Sequence, residues 1–403
     1  MYSDILKLVL IILAIVVMLW LKKPLYWAIG AGIIVNGVAY LVPPLKWLEV
    51  IRGVITNWGS MSIILNIYLF TFLQRMLQNR AQIKKAQEDL MGLFNSRKVN
   101  ATATPIVIGL LPSPAVMILC GEIVNEAAGE YLDAKEKAFC TTWFRHIPES
   151  FLPTYAGVLL LTGFSGIPVG LYALGMIPPA IALFAIGYLF FLRKVPSNTG
   201  VPSSGNKMLY AVNLAKHLWT LISILVLIMV FGIRVEIAVS SIIVLGLIVY
   251  RFTPNEIIPM LRRSVDVPLL FSSYLILVFQ RFTTYTGTIM SLPEFFKTLP
   301  LPMYLMFALL FLMGGILSGS RGIIAMCAPM AFVAMPDGGL PLVVLLGCFT
   351  HMASQMSPTH VCLAVAAESF KINMWDLMKK TIPCAFFYCT FAVLYYHFLT
   401  FIL

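Results

Sequence analysis

The sequence predicts an all-α polytopic membrane protein that consists of two inverted repeats, and three observations lead to this fold class. Of the 403 residues, 60% are hydrophobic and only 11% are charged, whereas a soluble globular domain is about 45–50% apolar and about 25% charged. Apolar segments of roughly 20 residues, the length that crosses a bilayer, recur from end to end. The hydropathy pattern of the first half returns in the second half after a shift of about 208 residues.

The first repeat, residues 1–194, contains simple apolar segments and one interrupted region. The apolar segments predict spanning helices at 5–21, 24–43, 61–79 and 168–192, of which those within 5–79 form a scaffold. Region 101–163 is apolar but is interrupted by Pro, Gly, Ser and charged residues. Irregular backbone at membrane depth needs surrounding protein or a water-filled cavity. We therefore assign a re-entrant hairpin to 101–128 and a broken spanning helix to 137–163.

The composition indicates two hydrophilic segments between the apolar ones. Segment 80–99 carries basic residues together with apolar residues at helical spacing, which predicts a helix on the cytoplasmic surface or else a solvated linker. Residues 195–207 are rich in Pro, Ser and Gly and form a cytoplasmic linker between the halves.

The second repeat, residues 208–403, follows the same order. It has apolar segments at 209–231, 233–250, 266–283 and 374–400, a hairpin at 300–335 and a broken helix at 340–370. Each half then crosses the membrane five times, and because five is odd the second half is inverted relative to the first. Inverted repeats with broken helices in corresponding positions are typical of secondary transporters, whose substrate site lies near the midplane.

The distribution of basic residues predicts the orientation. With both termini outside, about 20 of the 28 Lys and Arg residues fall on the cytoplasmic side, as the positive-inside rule requires. The first hairpin then enters from the cytoplasm and the second enters from outside. The chain is therefore expected to be a multi-pass protein of the inner (plasma) membrane, and its net charge of +11 needs no nucleic-acid partner. Arg145, Arg281 and Arg321 remain at or near membrane depth.

The breaks in the interrupted regions predict an anion site. Ser113-Pro114 and Ser357-Pro358 each place a hydroxyl before a proline, the pattern that starts a helix. Helices that start at mid-membrane direct free amides and positive dipole ends toward one place. Gly319 would let the backbone approach a ligand closely.

Arg321 is the leading candidate for the anion because it lies in the second hairpin tip, and its planar fork of donors suits a carboxylate, phosphate or sulfonate. The alternative for Arg321 is a structural ion pair that closes the hairpin tip. Arg145, at the first break, is the second candidate. The predicted substrate-binding residues are Ser113, Arg145, Ser318, Gly319, Ser320, Arg321, Gly322, Ser357 and Thr359.

Titratable and polar residues near the breaks are candidates for a coupling ion. Arg145 and Glu149 are four residues apart and could pair across a helical turn, either as part of the site or as a structural pair. A histidine or a buried glutamate could carry a coupling proton, whereas hydroxyls and carbonyls of the second broken helix could coordinate Na⁺. The predicted coupling-ion residues are Glu122, His146, Glu149, Gln355 and His360.

No cofactor and no metal site are expected. His351 and His360 lie on opposite sides of a break without a carboxylate or thiolate pattern, which is unlike a zinc site. The seven cysteines form no CxxC pair and are expected to act as small hydrophobic residues. The sequence has no GxxxxGK[ST] loop, so a nucleotide partner is not expected either.

The arrangement resembles the ion transporter superfamily, which includes gluconate permeases, divalent anion:sodium symporters and C4-dicarboxylate carriers. Within it, residues 111–116 (LPSPAV) and 354–361 (SQMSPTHV) resemble the DUF401 integral membrane proteins. The superfamily resemblance implies a homodimer with a static scaffold and a transport domain that moves as an elevator. Residues 197–199 match the SNT sodium motif of the divalent-anion symporters, but they lie in the linker and receive no role.

These observations predict a secondary transporter that moves a small organic anion with H⁺ or Na⁺ across the lipid bilayer. A cation/proton antiporter that uses Glu122, Glu149, His146 and His360 is the alternative. An intramembrane enzyme acting on lipid is a third hypothesis, but the sequence has no HExxH motif and no Ser/His pair at usable spacing, so the chain is not expected to be an enzyme.

Overall fold

The computed structural model describes residues 2–21, 23–110, 116–198, 206–287, 300–358 and 360–403. This part of the chain is helical, and its only β-type pairing is an isolated bridge between Ser96 and Asn198. The predicted all-α membrane protein is confirmed. Within these described ranges, six helices are long and apolar enough to cross a membrane: Trp58–Asn79, Lys207–Met229, Val267–Tyr285, Met303–Ala334, Pro336–Met356 and Met374–Ile402.

The helices of the two halves follow in a similar order. Those of the first half are α1 (Tyr2–Trp20), α2 (Leu25–Ala39), α3 (Pro44–Thr56), α4 (Trp58–Asn79), α5 (Gln82–Phe94), α6 (Arg97–Ile108), α7 (Val116–Ala128), α8 (Ala134–His146), α9 (Ala156–Ser165), α10 (Val169–Gly175) and α11 (Ile177–Phe190). Those of the second half are α12 (Lys207–Met229), α13 (Val235–Val249), α14 (Pro254–Arg263), α15 (Val267–Tyr285), α16 (Met303–Ala334), α17 (Gly339–Met356), α18 (Val361–Ser369) and α19 (Met374–Ile402).

Two short amphipathic helices, α3 and α14, were not predicted, because neither is long or apolar enough to read as a span. α3 packs against α15, where the Trp47 and Phe282 rings lie 4.8 Å apart. α14 begins with a capping box between Thr253 and Glu256. The Arg80 guanidinium, at the end of α4, donates to Glu256 at 2.8 Å and lowers the pKa of that carboxyl to about 2.

The long helices α4 and α15, which hold corresponding places in the two halves, run antiparallel. α3 immediately precedes α4 and also packs at the far end of α15, where the Lys46 ammonium lies 5.9 Å from the centre of the Tyr285 ring. α14 immediately precedes α15 and is bound to the end of α4 through Arg80. An inverted repeat requires this relation of corresponding helices, whereas their sidedness in a membrane remains a prediction.

Both predicted hairpins have arms that fold back on each other. α16 bends sharply at Gly319, whose φ of 75° and ψ of 164° are not helical. Ile323 therefore packs against Gly314, although the two residues would be about 13 Å apart along a straight helix. In the first hairpin, the Arg97 guanidinium at the start of α6 donates to the Ala127 carbonyl near the end of α7, at 3.4 Å. The tip of that hairpin, with Ser113 and Pro114, lies outside the described residues.

The two broken helices end their first segments near the predicted positions. α8 ends at His146 and is followed by a 3₁₀ turn over Ile147–Ser150 before α9. In the second half, α18 has His360 as its N-cap residue. The prediction that Ser357 and Pro358 start this helix was wrong, because they lie in the connection before its cap.

Two further segments differ in detail from the prediction. The predicted helix 168–192 is divided at Met176 into α10 and α11, and prolines begin α11. Segment 80–99 contains α5, but α5 is not simply a surface helix, because one of its faces is buried. Its Asp89 carboxylate lies 2.7 Å from the His217 ring nitrogen of α12.

We predict that Gly319→Ala lowers the thermal stability of the protein in detergent. The φ and ψ of Gly319 belong to a region that only glycine populates, and a side chain there costs about 1–3 kcal/mol. Gly30→Ala is the matched control, since a Cβ atom at Gly30 meets nothing within 4 Å and alanine favours the helix by about 0.5–1 kcal/mol. Equal melting temperatures of wild type and Gly319→Ala would contradict this conformation of the hairpin tip.

Candidate functional site

A cavity of about 820 Å³ lies where the two breaks meet the second hairpin tip and helices α2, α4 and α15. Its wall therefore combines irregular segments from both halves with helices of the predicted scaffold. Of the predicted site residues, it is lined by Arg145, Glu149, Ser320, Arg321 and His360. The predicted convergence of the breaks and the second hairpin tip is thus present in the structure.

Arg145 is placed by the end of α8 and by the first hairpin. A capping box between Asp133 and Glu136 begins α8, and the Arg145 side chain at its other end is 1% exposed. The Arg145 guanidinium lies 3.9 Å from the Glu149 carboxylate. This distance exceeds that of a hydrogen bond, so the predicted i,i+4 pair forms only as a long ion pair.

The backbone of the first break is held by the hydroxyl groups of two tyrosines. The Tyr155 hydroxyl donates to the Gly109 carbonyl at 2.6 Å, and the Tyr172 hydroxyl donates to the Ser150 carbonyl at 2.8 Å. Gly109 lies so close to the break that a Cβ atom there would overlap the Arg145 carbonyl oxygen. The first hairpin therefore packs directly on the residue that presents the arginine.

The second hairpin tip brings Arg321 and Ser320 to the cavity. Among the described residues, no carboxylate oxygen lies within 4.0 Å of the Arg321 guanidinium, so the structure does not support the alternative of an ion pair that closes the tip. Ser318, Gly319 and Gly322 belong to the same tip but do not line the cavity. The Ser318 hydroxyl instead donates to the Gly314 carbonyl within its own arm, at 2.8 Å.

The second break contributes His351, Ser354, His360 and Cys362 to the cavity wall. Neither ring nitrogen of the buried His351 has a hydrogen-bond partner within the described ranges, and buried polar atoms of this kind usually bind water or a ligand. The Ser357 hydroxyl donates to the Ile316 carbonyl of the second hairpin at 2.8 Å, so it does not face the cavity.

The other predicted site residues lie away from the cavity surface. His146 and Gln355 are buried beside it, with exposures of 1% and 2%. Glu122 is exposed on α7 and does not line the cavity. Ser113 and Thr359 lie outside the described residues.

Sequence reasoning missed several polar residues of the cavity, among them Gln74, Arg75, Tyr155 and Asp266. Arg75 lies in the predicted span 61–79, and an ionisable residue within a span was the available signal. Asp266 is the N-cap of α15 and accepts from the Leu269 amide at 3.0 Å. The lining thus contains three arginines and two carboxylates, an excess of positive charge.

A cluster of possible metal ligands joins the two breaks. His146, His360 and Cys362 can place one ligand atom each within 4.8 Å of one another. His146 Nδ1 lies 2.6 Å from the Thr142 carbonyl oxygen; because a carbonyl only accepts, Nδ1 carries the proton and Nε2 keeps its lone pair. Imidazole and thiolate are zinc ligands. The sequence analysis did not expect this group because its members come from different halves of the chain.

Comparisons with known proteins bear on both the sequence and the fold. A family described as a protein of unknown function (DUF401) matches residues 5–399. No curated protein matches the chain. The fold is similar to that of the Alcanivorax borkumensis YdaH transporter, whose crystal structure is described as showing an unusual topology; the chains are 11% identical, the alignment covers 90% of each, and the TM-score is 0.58. The resemblance to the wider ion transporter superfamily stays a prediction.

We predict that Gly109→Ala disturbs the first break and lowers the melting temperature. The added methyl group overlaps the Arg145 carbonyl oxygen, and overpacking of this kind typically costs about 1–3 kcal/mol. Gly121→Ala, on the other arm of the same hairpin, is the control, because its Cβ atom would lie 3.4 Å from Phe370, an ordinary contact. If both variants melt like the wild type, the hairpin does not pack on Arg145 as described.

Proposed function

The chain belongs to the DUF401 family of proteins of unknown function, and from this premise we propose that it is a secondary transporter for a small organic anion of the carboxylate type. Its helical membrane architecture and its fold similarity to a transporter support a role in transport. The substrate, the coupling ion and the direction of movement belong to the proposal.

The observation that carries the proposal is the positive charge in the cavity of about 820 Å³, which we call the first cavity. Arg75 and Arg321 line it, and no carboxylate oxygen lies within 4.0 Å of either guanidinium among the residues described. Arg145 also lines the cavity, and its ion pair with Glu149 is long, at 3.9 Å. A buried cation without a close counter-ion is costly, and a bound carboxylate would supply bidentate, charge-assisted hydrogen bonds. The cavity therefore favours an anion.

The dimensions of the cavity are consistent with this substrate class. Its volume of about 820 Å³ lies within the range of roughly 300–1,000 Å³ that is usual for small-molecule sites. Arg321 comes from the second half of the chain and Arg145 from the first, so one anion between them would bridge the two halves. Such a bridge couples substrate binding to the relative position of the halves.

We assign coupling to H⁺ or Na⁺. Glu149 lines the cavity, and its carboxylate lies 3.7 Å from His146 Nε2, slightly beyond a hydrogen bond. We propose that these two groups share a proton when this gap closes. The amide of Gln355 is the oxygen donor that we propose for Na⁺. Glu122 is the weakest of the proposed coupling residues because of its exposed position.

The remaining parts of the proposal come from the family resemblance. We propose an inverted-repeat protein of the inner membrane, with both termini outside, that acts as a homodimer. Its hairpins and broken helices would move as an elevator against the scaffold helices. With this orientation the first cavity opens to the cytoplasm, because Gln78 near the end of α4 and Asp266 at the start of α15 line it.

A second candidate function is cation/proton antiport. The observation that favours it is the group of His146, Glu149 and His360, in which the two imidazole rings lie 4.9 Å apart and the glutamate faces the cavity. In this case the arginines would serve only to position Glu149.

We predict that a carboxylate ligand raises the melting temperature of the purified protein and that Arg321→Gln abolishes this rise. The melting temperature is measured with a panel of mono-, di- and tricarboxylates, sugar acids and phosphonates. Each ligand is tested with and without Na⁺ at two pH values. A ligand at 100 times its Kd stabilises the folded state by about 2.7 kcal/mol. Arg263→Gln is the matched control because Arg263 is exposed at the end of α14, and it should respond like the wild type.

The panel separates the two functions. Stabilisation by Na⁺ or by pH alone, with none from any anion, would overturn the proposal of an anion carrier.

For the antiporter, we predict that Glu149→Gln abolishes cation-driven proton movement in proteoliposomes that contain no organic solute, while Arg321→Lys retains it. Glu130→Gln is the control, since Glu130 is exposed and lies outside the cavity. Proton movement that depends on an added carboxylate would speak against antiport.

A further inference from the structure

We propose that a second cavity, at the opposite end of helices α4 and α15, is a second anion-binding station on the same transport route. Gln280 and Arg281 would act there as Gln74 and Arg75 act in the first cavity. This inference rests on the proposed function, because it assigns the same class of substrate to a second place in the molecule.

The second cavity has a volume of about 700 Å³. It is lined by the start of α4, the end of α15 and part of α3, whereas the first cavity is lined by the end of α4 and the start of α15. Since α4 and α15 run antiparallel and extend through the membrane, the two cavities lie on opposite sides of it.

A repeated dipeptide marks both cavities. Gln74-Arg75 on α4 and Gln280-Arg281 on α15 occupy corresponding positions, because they are separated by nearly the same shift that relates the two halves. Each pair lines the cavity at its own end of the antiparallel helices. The inversion therefore gives each side of the membrane the same polar and cationic groups.

The charge of the second cavity suits an anion. The Arg281 guanidinium lies against α3, where a Cβ atom on Gly53 would be 2.5 Å from Arg281 Nη1. In the described part of the chain no carboxylate oxygen lies within 4.0 Å of Arg281. Glu49 also lines this cavity, but Lys46 forms an ion pair with it at 2.5 Å and offsets its charge. Among the described residues, one positive charge of this cavity therefore remains without a close carboxylate.

The linings of the two cavities come close to each other at an apolar layer formed by α4 and α9. On α4, Ile67 lines the first cavity and Ile63 lines the second, and these residues are one turn, about 6 Å, apart. On α9 the corresponding residues are Leu161 and Gly163. The two helices pack closely in the wall of the second cavity, because a Cβ atom on Gly163 would lie 2.5 Å from Ile63 Cδ1.

The test is charge-selective labelling of a cysteine in the second cavity. Ser60→Cys places a thiol in its lining, and the native thiols are buried except Cys389, which is partly buried. The full-length protein is treated, in intact cells and in inverted vesicles, with impermeant methanethiosulfonates that carry either a sulfonate or a trimethylammonium group. The protein without Ser60→Cys gives the background rate.

We predict that the sulfonate reagent reacts faster from the outside and that Arg281→Gln lowers the sulfonate-to-trimethylammonium rate ratio about tenfold. Arg281→Lys keeps the charge and should retain the wild-type rate ratio. This variant tests the role of the charge even where Arg281→Gln folds poorly. Arg52→Gln is the matched control, because Arg52 is exposed on α3 at the same end of the molecule. A ratio that is unchanged by Arg281→Gln, or lowered as much by Arg52→Gln, would overturn the inference.

Uptake of succinate into proteoliposomes, used as a dicarboxylate probe, separates this inference from the proposed function. We expect Arg281→Gln to slow uptake at least tenfold while thermal stabilisation by succinate is retained. Wild-type uptake in Arg281→Gln would reject the second station and leave the anion carrier intact. Failure of every anion in the thermal panel would reject the carrier, whatever the labelling shows.

Discussion

The structure depends on how the carbonyl groups of the interrupted helices are satisfied in a membrane. Hydrocarbon offers no hydrogen bonds, so each unpaired backbone group costs several kcal/mol. In both halves a hydroxyl of the break donates to a carbonyl of the adjacent hairpin: Tyr155 to Gly109, and Ser357 to Ile316. These bonds fasten each hairpin to its broken helix, and they fix the places from which Arg145 and Arg321 reach the cavity.

Local signals explain which parts of this architecture the sequence could predict. The end of α8 at His146 and the bend at Gly319 were foreseen because a proline, Pro148, follows His146 closely and a glycine stands at the second hairpin tip. The helices α3 and α14 were not predicted, because a hydropathy pattern reveals long apolar helices and these two helices are short and amphipathic. The meeting of His146 with Cys362 could not be foreseen, since it depends on how two distant segments pack.

The cavity also shows how a membrane protein can keep several arginines at depth. Arg145 is buried but has Glu149 nearby, whereas Arg75 and Arg321 border a space large enough for water or a ligand. The energetic cost of these charges is offset by solvation inside the cavity rather than by ion pairs. A site of this kind remains available for an anion, because no carboxylate of the described residues must first be displaced from Arg321.

The thin layer between Ile63 and Ile67 has an electrical consequence. Water in the two cavities would bring the potential of each side toward this layer, so the transmembrane voltage would fall over a shorter distance than about 30 Å of hydrocarbon. The local field would then be stronger than in an unbroken bilayer. A unit charge that moves only through this layer still experiences the whole voltage, about 2.3 kcal/mol per 100 mV. Net movement of charge through the layer would therefore be steeply voltage-dependent even with small displacements.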